Sequence, residues 1–216
     1  MLLKVGLTGG IASGKSVVGR ILKDCGCSVH EADRVGHNLV KPGSPAWEKI
    51  VDRFGPRVLN PDRTVNRQRL GAIIFSRKRE RLFLNRLVHP FLIRRIRAAC
   101  ARAERRGRAK IFISVAALLI EWKFSDFFDR TVVVHCPADI QLQRLMKRDG
   151  ISRAEAAKKI GSQLSVGEKL GHADYILDTS GSLEDTARKT IGLYRCLLRD
   201  YEKKIRISSR RQAGES

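Results

Sequence analysis

Along the chain, short runs of β-branched and apolar residues alternate with longer stretches in which apolar side chains return every three or four positions. The first pattern is that of strands covered on both faces, the second that of amphipathic helices. Strands are expected at 2–8, 28–31, 111–115, 131–135 and 175–178. Helices are expected at 15–25, 46–54, 67–75, 79–87, 91–106, 138–148, 153–164 and 183–204, the last capped by Ser182. This alternation predicts a five-stranded parallel sheet with helices on both faces, a three-layer α/β/α domain. Beyond residue 204 the period is lost, and the tail is expected to fray.

Roughly eighty residues separate the second strand from the third, far more than one crossover helix needs. A helical lobe is therefore expected there, at about 60–108, with a lid at about 139–170, both inserted in a single domain of 216 residues. Residues 77–110 carry 13 basic residues against two acidic ones, Glu80 and Glu104. Such a run reads first as a solvated helical face and second as a surface for phosphate.

Hydrophobic residues make up 43% of the chain and charged residues 30%, enough apolar side chain for a buried core. The net charge of +21 attracts phosphorylated metabolites, nucleic acid or anionic lipid without choosing among them. The longest mainly apolar run, 111–120, is half of the ~20 residues a membrane helix needs. The first residues lack the pattern of a signal peptide, which predicts a cytoplasmic protein. Five cysteines with no paired C-x₂-C spacing read as reduced thiols and not as a metal site.

The strongest chemical signal is Gly9-Gly10-Ile11-Ala12-Ser13-Gly14-Lys15-Ser16, which fits G-x-x-x-x-G-K-[ST] between an expected strand and an expected helix. Glycines let the backbone N–H groups of such a loop wrap a phosphate, the helix start adds a positive dipole end, and Lys15 adds a full charge. Gly10, Ile11, Ala12, Ser13, Gly14, Lys15, Ser16 and Val17 form the expected ATP-binding set, with Ser16 as the Mg²⁺ ligand. The motif implies a nucleoside triphosphate and leaves the phosphate acceptor open.

No acidic residue ends the third or fourth expected strand. Glu31 and Asp33 stand instead at the carboxyl end of the second, where α/β sheets bind ligands. If that strand lies two places from the phosphate loop, the offset is about 10 Å, and Asp33 is the expected base for an acceptor hydroxyl. A helix cap before residues 34–40 is its structural alternative. Arg144 and Arg148, four apart on one helical face, are placed either to close over the triphosphate or to face solvent.

These residues fall within a wider pattern. Leu7-Thr8-Gly9-Gly10-Ile11-Ala12-Ser13-Gly14-Lys15-Ser16, Glu31-Ala32-Asp33, Pro42-Gly43-Ser44-Pro45-Ala46 and Leu84-Asn85-Arg86-Leu87-Val88-His89-Pro90 come first. Leu118-Leu119-Ile120-Glu121, Gln141-Leu142-Gln143-Arg144 with Arg148-Asp149, Gln163 and Ala173-Asp174-Tyr175-Ile176-Leu177-Asp178 follow in order. Together they resemble the dephospho-coenzyme A kinase family. The resemblance implies a P-loop kinase fold with a coenzyme A lobe and a lid. It implies transfer of the ATP γ-phosphoryl group to the ribose 3′-hydroxyl of dephospho-CoA. Lys15, Asp33 and Arg144 become the implied catalytic residues, Arg144 and Arg148 the lid arginines, and Thr8, Asp33, His89 and Leu118 the implied substrate contacts. The family usually has Asp, Pro and Asn where this chain has Glu31, Ala117 and Thr179. Another small-molecule P-loop kinase and a basic P-loop protein on nucleic acid are the competing readings. Only 6% aromatic residues argue against base stacking, so no specific nucleic-acid partner is expected.

Overall fold

The computed structural model describes residues 1–32 and 40–213, with side chains through residue 210. Five strands, β1 (Leu3–Gly9), β2 (Ser28–Glu31), β3 (Ile111–Val115), β4 (Arg130–His135) and β5 (Tyr175–Asp178), form one sheet in the order β2-β3-β1-β4-β5. All neighbours are parallel, β1 pairing with β3 from Leu3↔Ile111 to Leu7↔Val115 and with β4 from Val5↔Arg130 to Gly9↔Val134. The order places β2 two strands from β1, as the crevice argument required.

The alternation of side chains along each strand feeds two different layers. Leu3, Val5 and Leu7 of β1, with Ile111, Ile113 and Val115 of β3, pack beneath α1 (Lys15–Asp24) and the C-terminal helix, through Val18, Leu22, Leu193 and Leu197. Phe112 points to the opposite face, where it meets Ile96 and Cys100 of a long helix and Leu119 and Trp122 of the β3–β4 loop. Gly6 on that face leaves room for Phe128, whose ring would lie 3.0 Å from an added Cβ. Each of the buried aliphatic side chains contributes about 1.5–3 kcal/mol.

The insert between β2 and β3 contains α2 (Pro45–Phe54), α3 (Arg67–Ser76) and α4 (Lys78–Arg106). Its apolar cluster takes in Trp47, Ile50 and Phe54 as well as Val58, Val65 and Leu70. The lobe thus begins at α2, ahead of the expected boundary near 60, because Trp47 and Phe54 bury against its own core. It also has no clean end: α4, about 43 Å long at 1.5 Å per residue, packs Phe83, Leu84 and Leu87 into the lobe and Leu92 and Ile96 into the main domain.

Two helices expected at 79–87 and 91–106 are this single α4, with Pro90 inside it. Proline costs one helical hydrogen bond and a clash with the preceding turn, and packing of Phe83, Leu84 and Leu87 before it and burial of Leu92 and Ile96 after it offset that cost. After β4 come α5 (Ala138–Asp149), α6 (Arg153–Ile160) and α7 (Val166–Leu170), the last within a stretch expected to be irregular. The expected frayed tail is helical instead. α8 runs Leu183–Ala213, capped by Ser182, whose hydroxyl accepts from Asp185 N at 3.0 Å. Lys204 Nζ ties it to Asp129 at 2.6 Å and to the Leu2 carbonyl at 3.0 Å, so the last turns extend an already nucleated and anchored helix.

Candidate active site

β1 ends in the glycine-rich turn, and α1 starts directly after it. Gly14, preceding the helix, has φ +89°, a conformation glycine takes without strain. At Gly10 the requirement is space: an added Cβ would run into the side-chain amide of Gln141, a residue only 2% exposed. Ala12 is held at φ +59°, backbone strain of the kind stored at ligand-binding turns. The loop is thus shaped by contacts on its outer side, with Ile11 N donating to Gln163 Oε1 and Ser13 N to the Gly10 carbonyl.

Lys15 is 8% exposed, and its ammonium lies across the loop, donating to the carbonyls of Gly9 at 3.0 Å and Gly10 at 2.7 Å. Above it opens a cavity of about 580 Å³. Ile11, Ala12, Ser13, Gly14, Lys15, Ser16 and Val17 line it from below, and Ala117, Arg144, Arg148 and Gln163 line it from the other sides. Gly10 takes no part in the lining. Among the described residues, the buried hydroxyl of Ser13 has no hydrogen-bond partner.

The two arginines of α5 stand differently. Arg144 is fastened to the sheet end: Nη2 donates to the Thr179 carbonyl at 2.7 Å and Nη1 reaches its hydroxyl at 3.3 Å. That hydroxyl also contacts the carbonyls of Ser13 at 2.9 Å and His135 at 3.1 Å. Thr179, a departure from the family pattern, therefore braces the phosphate loop and Arg144 together. Arg148 is exposed and turned onto its neighbour, Nε donating to Asp149 Oδ1 at 2.8 Å. Lys159 Nζ approaches the other oxygen at 3.0 Å. The Arg148 hydrogen bond, joined by Lys159, holds the Asp149 carboxyl below the usual carboxylate range despite some burial.

A second cluster joins the lid's base to the loop after β3. Lys169, 1% exposed, donates to the Ala117 carbonyl at 2.7 Å and pairs with Glu121 Oε1 at 2.8 Å. The same Glu121 oxygen accepts from Leu164 N at 3.2 Å. Thr8 is wholly buried, its hydroxyl donating to the Ala117 carbonyl at 3.2 Å, so it faces this loop and not the cavity. Leu118 is half-buried against the apolar layer under α4. His89 stacks on Trp122 with ring centroids 5.1 Å apart, and burial lowers its pKa. Among the described residues, neither His89 Nε2 nor Trp122 Nε1 has a hydrogen-bond partner. Neither Leu118 nor His89 lines the nucleotide cavity.

Asp33 lies outside the described residues; β2 ends two positions before it, at Glu31 in register with Val115. The sequence alone gave no role to Gln163, whose Oε1 accepts from Ile11 N at 2.8 Å, nor to Lys169. Both act across long sequence separations that no local pattern reveals. Among the described residues no group of three His, Cys, Asp or Glu could hold a metal, and the five cysteines are free. No helix among them is long and apolar enough to cross a membrane.

A phosphate loop at the end of a central parallel strand, an inserted lobe and an arginine-bearing helix over the cavity define a P-loop kinase. The family model for dephospho-CoA kinase matches residues 3–185. A dephospho-CoA kinase of Carboxydothermus hydrogenoformans is 39% identical over 93% of this chain and 97% of its own. Among solved structures, the Thermus thermophilus protein TT1252 is similar, with TM-score 0.71 and 28% identity over 89% of this chain and 96% of that one. A dephospho-CoA kinase from Campylobacter jejuni gives TM-score 0.64 and 25% identity, over 90% and 96%. The chain belongs to the dephospho-CoA kinase family, whose reaction is the ATP-dependent phosphorylation of dephospho-CoA in coenzyme A synthesis.

Proposed function

We propose that this chain moves the ATP γ-phosphoryl group to the ribose 3′-hydroxyl of dephospho-CoA, with its residues in the following roles. The amides of residues 10–17 take the β- and γ-phosphates, and Lys15 leaves the Gly9 and Gly10 carbonyls to meet them. Asp33 orients the acceptor hydroxyl and accepts its proton. Arg144 and Arg148 neutralise charge spreading over the transferring group, Arg148 by exchanging Asp149 for phosphate. Thr8 acts by positioning the Ala117 loop. His89 and Leu118, on the lobe side, contact the acceptor.

Magnesium fits at Ser16, an exposed hydroxyl on the cavity wall, since Mg²⁺ accepts one hard protein oxygen beside phosphates and waters. Bound there, it would neutralise charge between the β- and γ-phosphates. We divide the chain into a core, a lobe from α2 into α4, and a lid over about 139–170, and place its action in the cytoplasm, which suits five unpaired thiols.

The observation that carries this reading is the backbone cradle of residues 11–17 beneath a cavity that Arg144 and Arg148 also line. Its test is a coupled assay with ATP and Mg²⁺ across dephospho-CoA, AMP, gluconate and shikimate. Turnover confined to dephospho-CoA, with the new phosphate on the 3′-oxygen by ³¹P NMR, is expected. Equal or absent turnover of dephospho-CoA contradicts it.

A further inference from the structure

The basic run of α4 resolves into one face. At about 100° per residue, Arg94, Arg95, Arg102, Arg105 and Arg106 fall within an arc of about 120°, while Leu92, Ile96, Cys100 and Ala103 are buried on the opposite arc. All five arginines are exposed, as are Ala98 and Ala101 between them. Among the described residues, none of the five guanidinium groups makes an ion pair or a side-chain hydrogen bond. Arg94 lies over the half-buried Phe91, its guanidinium carbon 4.7 Å from the ring centroid. The only acidic residue from 81 to 110, Glu104, lies off this arc and pairs with the N-terminal ammonium at 3.5 Å. Beneath the face, burial first and then the charges of Arg102 and Arg95 lower the pKa of His30 on β2.

The spacing, mounting and composition of this face select its partner. At about 1.5 Å per residue the five charges lie within about 18 Å, close to the one phosphate per roughly 3.4 Å that each strand of a duplex presents along its axis. The other side of α4 is packed into the domain, so the helix cannot enter a groove and its contacts stop at phosphates, which guanidinium groups grip two oxygens at a time. That limit agrees with the 6% of aromatic residues, too few for stacking on bases. No large apolar side chain stands exposed on the face, which leaves nothing to insert among lipid chains. α8 differs: its exposed Arg195, Arg199, Lys203, Arg206 and Arg210 run beside Glu202 and the exposed Ile207.

We infer that the outward face of α4 binds the phosphate backbone of a nucleic-acid duplex, through Arg94, Arg95, Arg102, Arg105 and Arg106 and without regard to base sequence. The surface is separate from the phosphoryl transfer: none of the five lines the nucleotide cavity. Binding releases counterions condensed on the duplex, so its strength follows salt and the number of arginines engaged. The inference does not depend on which acceptor the kinase phosphorylates.

The test follows the full chain by fluorescence anisotropy on two labelled DNA duplexes of unrelated sequence. Wild type should bind both alike and lose roughly 10²–10³-fold in affinity between about 50 and 200 mM salt, as about five phosphate contacts require. Arg94→Gln, Arg95→Gln, Arg102→Gln, Arg105→Gln and Arg106→Gln together should flatten the slope of log affinity against log salt by about 4–5, and Arg94→Gln with Arg105→Gln alone by about 2. The control is Arg195→Gln, Arg199→Gln, Lys203→Gln, Arg206→Gln and Arg210→Gln on α8, which packs on the other side of the sheet. It lowers the net charge equally and should leave the slope unchanged, since salt screens charges beyond about 10 Å. ATP turnover should be the same in wild type and all variants, because no replaced residue lines the nucleotide cavity. Absent binding by wild type at about 50 mM salt, strong preference for one sequence, or equal flattening by the α8 control overturns the inference. Phosphatidylserine vesicles that displace the duplex overturn it too, and would make the face a membrane surface.

Discussion

The backbone N–H of Ile11, in the phosphate loop, donates to Oε1 of Gln163 at 2.8 Å across 152 residues of sequence. The base of the lid is thereby fastened to the loop that receives the nucleotide. Leu164 N on Glu121 and Lys169 on the Ala117 carbonyl fasten the adjoining residues to the β3–β4 loop. The segment between α6 and α7 is thus anchored at both sides, while on α5 Arg144 is tied to Thr179 and Arg148 to Asp149.

Replacing Gln163 by Leu leaves the Ile11 amide without this acceptor and loosens the lid. A lost hydrogen bond of about 0.5–1.5 kcal/mol predicts a rise in KM for ATP of roughly two- to tenfold. Water then competes better as acceptor, so acceptor-independent ATP hydrolysis should rise in a phosphate-release assay.

Gly10 has no room for a side chain because Gln141 fills the space behind it. Gly10→Ala should weaken nucleotide binding by displacing either the loop or α5, as read by titration calorimetry with ADP. Adding Gln141→Ala should restore part of that affinity, which a loss due to backbone flexibility alone would not do.

The Lys169–Glu121 pair is buried on the lysine side, where Nζ is within hydrogen-bond reach of two oxygens. Lys169→Met strands the Glu121 charge and should cost about 3–5 kcal/mol in urea denaturation. Lys169→Met combined with Glu121→Gln removes both charges and should recover most of that loss.

Asp149 gives an acid-side signature. Its folded-state pKa is depressed, so its contribution to stability is fully present above the unfolded value of about 3.9 and is lost as pH falls through the lower folded value. Thermal melts of Asp149→Asn and wild type should differ by a constant amount above about pH 5 and draw together as the pH falls below about 4 toward the lower folded value. A difference growing toward neutral pH would contradict the assignment.

The strands and the phosphate loop were legible because their requirements are local. Alternating apolar runs mark strands buried on both faces, and Gly14 marks a backbone conformation other residues avoid. The role of Asp33 was conditional on β2 lying two places from the phosphate-loop strand, a condition the sheet order meets. What stayed hidden depends on tertiary packing. Pro90 reads as a break, yet α4 passes through it, its first half packing Phe83, Leu84 and Leu87 on the lobe and its second burying Leu92 and Ile96. Trp47 reads as part of an ordinary helix, yet it belongs to the lobe's core. Thr179 reads as a lost polar contact, yet its hydroxyl supports Ser13 and Arg144 at once. Charge likewise gave no partition: Arg148 engages its guanidinium with Asp149, while Arg67, with the same formal charge, makes no ion pair among the described residues.

The central claim is that one carboxylate, two residues beyond β2, activates the acceptor hydroxyl while the loop of residues 10–17 holds the nucleotide. Asp33→Asn keeps the shape and removes the base, so kcat with dephospho-CoA measured beside the dissociation constant for ATP tests that claim most directly. The account predicts a fall in kcat of about 10²–10⁴-fold with ATP affinity nearly intact. Turnover equal to wild type, or a loss of activity traced entirely to weaker ATP binding, would contradict it.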